Sequence, residues 1–155
     1  MEQVSGLLKI STREVFATMV NTTAQPSDLQ DFRGGDENLV VGTVGFIGDV
    51  NGVVHVYARA SFARILAGRM LGLPEAELGG DEMVNDVIGE LLNMIVGSVK
   101  SRLCDSGILC VLTIPSVMRG RYLKGGPVCS SECRLLSIVC GAESILIELL
   151  IKPLK

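Results

Sequence analysis

The chain has 155 residues, 48% of them apolar and 20% charged, with five prolines, a balance that supports a buried core and excludes disorder. Fourteen basic against seventeen acidic side chains leave a net charge of −3, which removes the broad positive field that nucleic-acid binding depends on. Mean hydropathy is +0.44, yet the most apolar stretch, Ser144 to Ile151, is short and carries Glu148, far from the ~20 apolar residues of a membrane span.

Apolar spacing from Val4 to Val20 predicts a helix, with Ser11-Thr12-Arg13-Glu14 offering a capping box partway through. Asn21 to Asn38, polar and holding Pro26, Gly34 and Gly35, reads as a loop. The valine-rich runs Leu39–Ile47 and Val53–Ala58 flank a turn at 48–52 and predict a β-hairpin. Ser61 can cap a helix whose apolar positions run from Phe62 to Leu73, ended by Gly72 and Pro74. After Gly79-Gly80, Asp81 is an N-cap candidate for a long helix over about 82–104, acidic at its start, basic at its end and closed by Gly107. Ile108–Ile114, Arg134–Cys140 and Ser144–Ile151 read as strands, the last two joined by a turn at 141–143, and 120–131 is unassigned. This order gives an α+β fold, a largely antiparallel sheet with helices on one face. Glu14 to Val20 resembles Glu90 to Val96 in its pattern of acid, apolar pairs and final valine, which suggests pseudo-symmetric halves.

One domain over 1–155 fits the length. Met1-Glu2-Gln3-Val4 has no basic region ahead of an apolar block, so the expected location is cytoplasmic, without membrane insertion. Five cysteines form no disulfide framework in that setting, and Cys129 and Cys133 lack a second pair to complete a zinc site, so no metal site is expected. The only histidine, His55, lies in a strand pattern as an ordinary sheet-face residue, which removes most imidazole chemistry.

On the long helix, Val84, Val87, Ile88, Leu91, Ile95 and Val99 form a core-facing stripe. Asp86, Glu90, Asn93 and Gly97, at spacings of four, three and four, stack in one line on the opposite side. Any amphipathic helix has a polar face. Here, however, Gly89, Asn93 and Gly97 are poor helix formers, glycine costing about 1 kcal/mol relative to alanine. Such a surface gives another molecule access to the backbone, although the same glycines equally permit close packing within the protein. A carboxamide and a carboxylate are a sparse catalytic set suited to an already activated substrate. The amide can accept a hydrogen bond from water and donate one to a phosphoryl oxygen.

At these residues the chain resembles the CheC/CheX/FliY phosphatases of bacterial chemotaxis, whose motif is Asp or Ser, three residues, Glu, two residues, Asn, twenty-one residues and Pro. Asp86, Glu90, Asn93 and Pro115 fit it in full. The resemblance implies a CheC/CheX-like fold and hydrolysis of the aspartyl phosphate of a CheY-type response regulator. It implies that Asn93 positions the water and Glu90 pairs with a regulator lysine, while Asp86 and Pro115 shape the site; Gly97, on the same helix line, is read as shaping it with them. The regulator would supply the divalent metal (Mg), so that the chain needs no cofactor of its own. The first half has Glu14 but Ala17 in place of the asparagine, so a single site is expected, as in CheX, together with a CheX-like homodimer. Two alternatives stand beside this reading. One is a non-catalytic adaptor binding the regulator or another chemotaxis component through the same face; the other is a ligand-sensing or redox domain switched at Cys129 and Cys133. Arg119, Arg121 and Lys124 read as a solvated basic loop or as a steering cluster for an acidic regulator face.

Overall fold

The computed structural model of the chain describes residues 1–27, 38–120 and 132–152. In chain order they form α1 (Glu2–Val15), continued by one π turn over Phe16–Val20, then β1 (Gln25–Ser27), β2 (Leu39–Gly48) and β3 (Asn51–Arg59). These are followed by α2 (Ala60–Leu71), a short 3-10 turn over Glu75–Glu77, and α3 (Asp81–Asp105). The remaining strands are β4 (Cys110–Leu112), β5 (Ser116–Gly120), β6 (Glu132–Cys140) and β7 (Glu143–Lys152).

All strand pairs are antiparallel in one sheet of order β1-β6-β7-β3-β2-β4, with β5 also on β2. Because side chains alternate across a strand, Val44, Val54, Ile147 and Leu136 face the three helices and share one core with Leu8, Leu66, Leu92 and Ile95. The pseudo-symmetry is visible in the strand order. The short strand following α1 pairs with the second hairpin, the short strands following α3 pair with the first, and β3 meets β7 at the centre.

The helix and hairpin expectations agree with this architecture, and several local readings are corrected. Ser11 and Thr12 do not cap a helix: both are buried inside α1, where Ser11 Oγ donates to Ser98 Oγ at 3.0 Å and Thr12 Oγ1 to the Leu8 carbonyl at 2.7 Å. The N-cap of α2 falls on Arg59 rather than Ser61, and that of α3 on Gly80, with Asp81 the first helical residue. The segment read as a loop after Asn21 contains β1, and the strand read over 108–114 shortens to β4. At the end of α3, Gly107 takes φ 83°, its N–H bonds the Cys104 carbonyl and the Ile108 N–H bonds the Leu103 carbonyl. This is the double bond pattern that lets a glycine end a helix and reverse the chain.

The outer sheet face carries a second apolar cluster, Leu39, Val41 and Tyr57 with Leu146, and beside it a polar one. Thr43 Oγ1 lies 2.8 Å from His55 Nδ1, Tyr57 donates its hydroxyl to Glu148 Oε1 at 3.1 Å, and that oxygen is 4.0 Å from His55 Nε2. Burial lowers the His55 pKa from 6.5, opposed by the Glu148 carboxylate, and raises Tyr57 to about 12. A histidine depressed in the fold takes up its proton more readily unfolded, so its contribution is intact above about 6.5 and is lost as pH falls through the lower folded value. Urea midpoints are therefore expected to drop between pH 7 and pH 5, and to drop less in His55→Gln.

Candidate active site

The rotation of α3 is set on its inner side. Val84, Val87, Ile88, Leu91, Ile95 and Val99 are all buried, and Gly42 on β2 leaves room for Leu92, whose Cδ2 would lie 3.1 Å from a Cβ at that glycine. With the helix held so, Asp86 and Glu90 are exposed and Asn93 and Gly97 half-buried. At 1.5 Å per residue this line runs about 16 Å along the helix. Among the described residues, no hydrogen bond or ion pair engages the side chains of Asp86, Glu90 or Asn93.

The distant proline reaches this line by simple geometry. From Gly89 to Asp105 the helix climbs about 24 Å. After the glycine turn, the extended residues to 115 return about 26 Å. Pro115 thus arrives opposite Gly89, where a Cβ on the glycine would meet Val117 Cγ2 at 3.6 Å and Pro115 Cβ at 3.8 Å. A Cβ at Gly89 would thus sit in ordinary van der Waals contact with the returning segment, and one at Gly97 would meet nothing within 4 Å. Asn85, Asp86, Gly89, Glu90, Ile114, Pro115 and Val117 line an open depression of about 370 Å³. Asp86, Glu90 and Pro115 are brought together there, and Asn93 and Gly97 continue the line one and two turns beyond Glu90.

Pro115 lies between β4 and β5, which follow each other along the same edge of β2. Leu112 is opposite Phe46 and Ser116 opposite Thr43, so three residues on one side face two on the other, a β-bulge at 113–115. The bulge is held at Gly45, whose carbonyl accepts from the Thr113 N–H at 2.9 Å and whose own N–H donates to Thr113 Oγ1 at 2.8 Å. Arg119 ties β5 to the first turns of α3, its Nε donating to Asn85 Oδ1 at 2.7 Å and its Nη1 lying 3.5 Å from Asp81 Oδ1. Both earlier readings of Arg119 are corrected, since it is an anchored strand residue with only 20% of its side chain exposed; Arg121 and Lys124 lie outside the described residues.

Sequence reasoning did not assign Ile114 to the site, because the run before Pro115 reads as an ordinary strand; nor did it assign Asn85 on α3 or Val117 on β5, which carry no motif signal of their own. Among the described residues, no group of three or more His, Cys, Asp or Glu is placed to hold a metal ion. Glu14, at the matching place on α1, is ion-paired with Arg102, and Ala17 is exposed on the π turn. Burial raises the Cys133 thiol above its usual 9.0 and Cys140 to about 12, the opposite of an activated thiol; Cys129 lies outside the described residues. Among the described residues, no helix is long and apolar enough to cross a membrane.

A family model described as chemotaxis phosphatase CheX matches residues 40–132, more than half of the chain, and the protein belongs to that family. The fold is shared with CheX from Vibrio vulnificus at 22% identity, with 96% of each chain covered and a TM-score of 0.81. CheX from Desulfovibrio desulfuricans gives 21% identity, 98% of this chain and 100% of that one, and a TM-score of 0.81. CheX of the Borrelia burgdorferi CheX-CheY-BeF3-Mg complex gives 19% identity, 96% and 97% coverage, and 0.76. No curated protein matches the chain.

Since the Gly97 position is open and helical, Gly97→Ala is expected to stabilise the fold by roughly 0.5–1 kcal/mol, read as a higher urea midpoint at unchanged slope.

Proposed function

We propose that this chain is a single CheX-like domain that hydrolyses the aspartyl phosphate of a CheY-type response regulator and so ends a chemotaxis or two-component signal. The observation that carries the reading is the line Asp86–Glu90–Asn93 on the outer side of a rigid helix, with Pro115 returned beside it, in a member of the CheX family. The Borrelia burgdorferi relative, bound to CheY with BeF3 and Mg, supports a receiver as the partner. On this reading the protein acts in the cytoplasm with its regulator. It forms a homodimer, for which Met118 and Leu135, exposed on the outer sheet face beside the buried cluster of Leu39, Val41 and Tyr57, offer apolar surface.

The chemistry asks little of the chain because an acyl phosphate is already activated. Water attacks phosphorus in line, the P–O bond to the aspartate breaks, and the products are a free carboxylate and inorganic phosphate. The Asn93 carboxamide accepts a hydrogen bond from the attacking water through Oδ1 and donates one to a phosphoryl oxygen through Nδ2. Glu90, one turn away on the same face, pairs with a regulator lysine and sets the angle of approach. Asp86 and Pro115 shape the groove. The regulator would bring the divalent metal, which would supply charge neutralisation at the phosphoryl group, and the chain would need no cofactor of its own.

Decay of a phosphorylated CheY-type receiver is expected to accelerate with catalytic amounts of the protein. Asn93→Ala should lower kcat by roughly 100-fold or more, and Glu90→Ala should lower kcat/KM by roughly tenfold or more. Binding without acceleration, across the cognate receivers, would leave a non-catalytic adaptor and refute the enzyme reading.

A further inference from the structure

The residue ahead of Pro115 is an isoleucine that folding does not use. Ile114 is 89% exposed, although it ends an apolar run whose alternate members are buried or half-buried. A lone exposed apolar side chain is common and explains nothing by itself. Three features set this one apart. It lines the same depression as Glu90 and Asp86. It sits at the centre of the bulge, where the extra residue turns it out of the strand alternation. It is also rigidly displayed, with Thr113 bonded to both backbone groups of Gly45 on one side and a proline fixing the backbone on the other.

We infer that Ile114 is the docking anchor of the site, an apolar knob that the phosphorylated receiver domain buries when Asn93 reaches its phosphoryl group. This rests on the function proposed above and adds a residue that determines binding rather than chemistry. A standard interface covers about 800 Å² on each partner, a disc of about 16 Å radius. A receiver centred on the Glu90–Asn93 turn therefore covers the neighbouring bulge. An isoleucine held there in advance loses little freedom on burial, and it gives the receiver an apolar contact beside the acidic one at Glu90.

The test compares wild type with Ile114→Asp, Ile114→Ala and Ile114→Leu. It measures kcat and KM for decay of a phosphorylated CheY-type receiver, Kd for that receiver loaded with BeF3− and Mg2+, solution mass and urea midpoint. So exposed a position should leave the urea midpoint almost unmoved. Ile114→Asp is expected to raise KM and Kd about tenfold or more with kcat within about twofold of wild type, Ile114→Ala less, and Ile114→Leu close to wild type. Unchanged KM and Kd in Ile114→Asp would overturn the inference while wild-type turnover upheld the phosphatase. Loss of self-association at unchanged Kd would assign Ile114 to a contact between copies of the chain and overturn it equally. If wild type bound without turnover, the phosphatase reading would fail and the Kd series would still decide on Ile114. If wild type neither bound nor acted on receivers, both would fall.

Discussion

The rotation of α3 about its own axis is the constraint on which the site depends. Successive helix residues are about 100° apart, so a slip of one position would carry Asn93 toward the core and an apolar side chain to the surface. What prevents the slip is a steric fit: Leu92 and Ile88 settle over Gly42, where any side chain would crowd Leu92, while Val84, Leu91, Ile95 and Val99 are buried in the common core. The opposite side is then determined without any bond to Asp86, Glu90 or Asn93. Those groups remain free to be completed by another molecule, which suits a site that holds only part of a reaction.

The second wall of the site comes from chain length and turn chemistry. The glycine turn after α3 sends the chain back beside the helix, and the motif spacing reflects the distance out along a helix and back along a strand. Arg119 keeps β5 against the start of α3 through Asn85 and Asp81, and the bulge at 113–115 places Pro115 over Gly89. The two halves of the fold share topology but differ in the side chains at this place. On α1 the corresponding acid is paired with Arg102 and the carboxamide is replaced by Ala17, so only α3 presents the set. The spacing from Asp86 to Pro115 is thus accounted for by helix rise and strand rise.

The elements legible in the sequence were those whose information is local. The apolar period of α3, the two long hairpins and Gly72 and Gly107 as helix ends could each be read within about twenty residues. The short edge strands could not. Gln25-Pro26-Ser27 has no strand character of its own and becomes β1 only by pairing with β6, more than a hundred residues away. β5 mixes Ser, Val, Met, Arg and Gly, and depends on β2. Ser11 and Thr12 misled for a related reason: Ser11, a residue type that favours helix ends, is here used for close packing of α1 on α3, and Thr12 is buried with its hydroxyl on the Leu8 carbonyl of its own helix. At the site, the line from Asp86 to Gly97 was legible because a helix turns spacing into position. Ile114 was not, since an apolar residue in a β-rich run looks like core until the one-residue bulge is known.

The most direct measurement is a nuclear magnetic resonance titration of the isotopically labelled protein with a CheY-type receiver loaded with BeF3− and Mg2+, following backbone amides and the Asn93 side-chain amide. Docking on the outer line of α3 is expected to shift the Asn93 side-chain signals most, with perturbations from Asp86 to Gly97 and across 114–117. Perturbation confined to the outer sheet face around Val41, Tyr57 and Leu146, with the Asn93 side-chain amide unmoved, would contradict the assignment of this helix as the site.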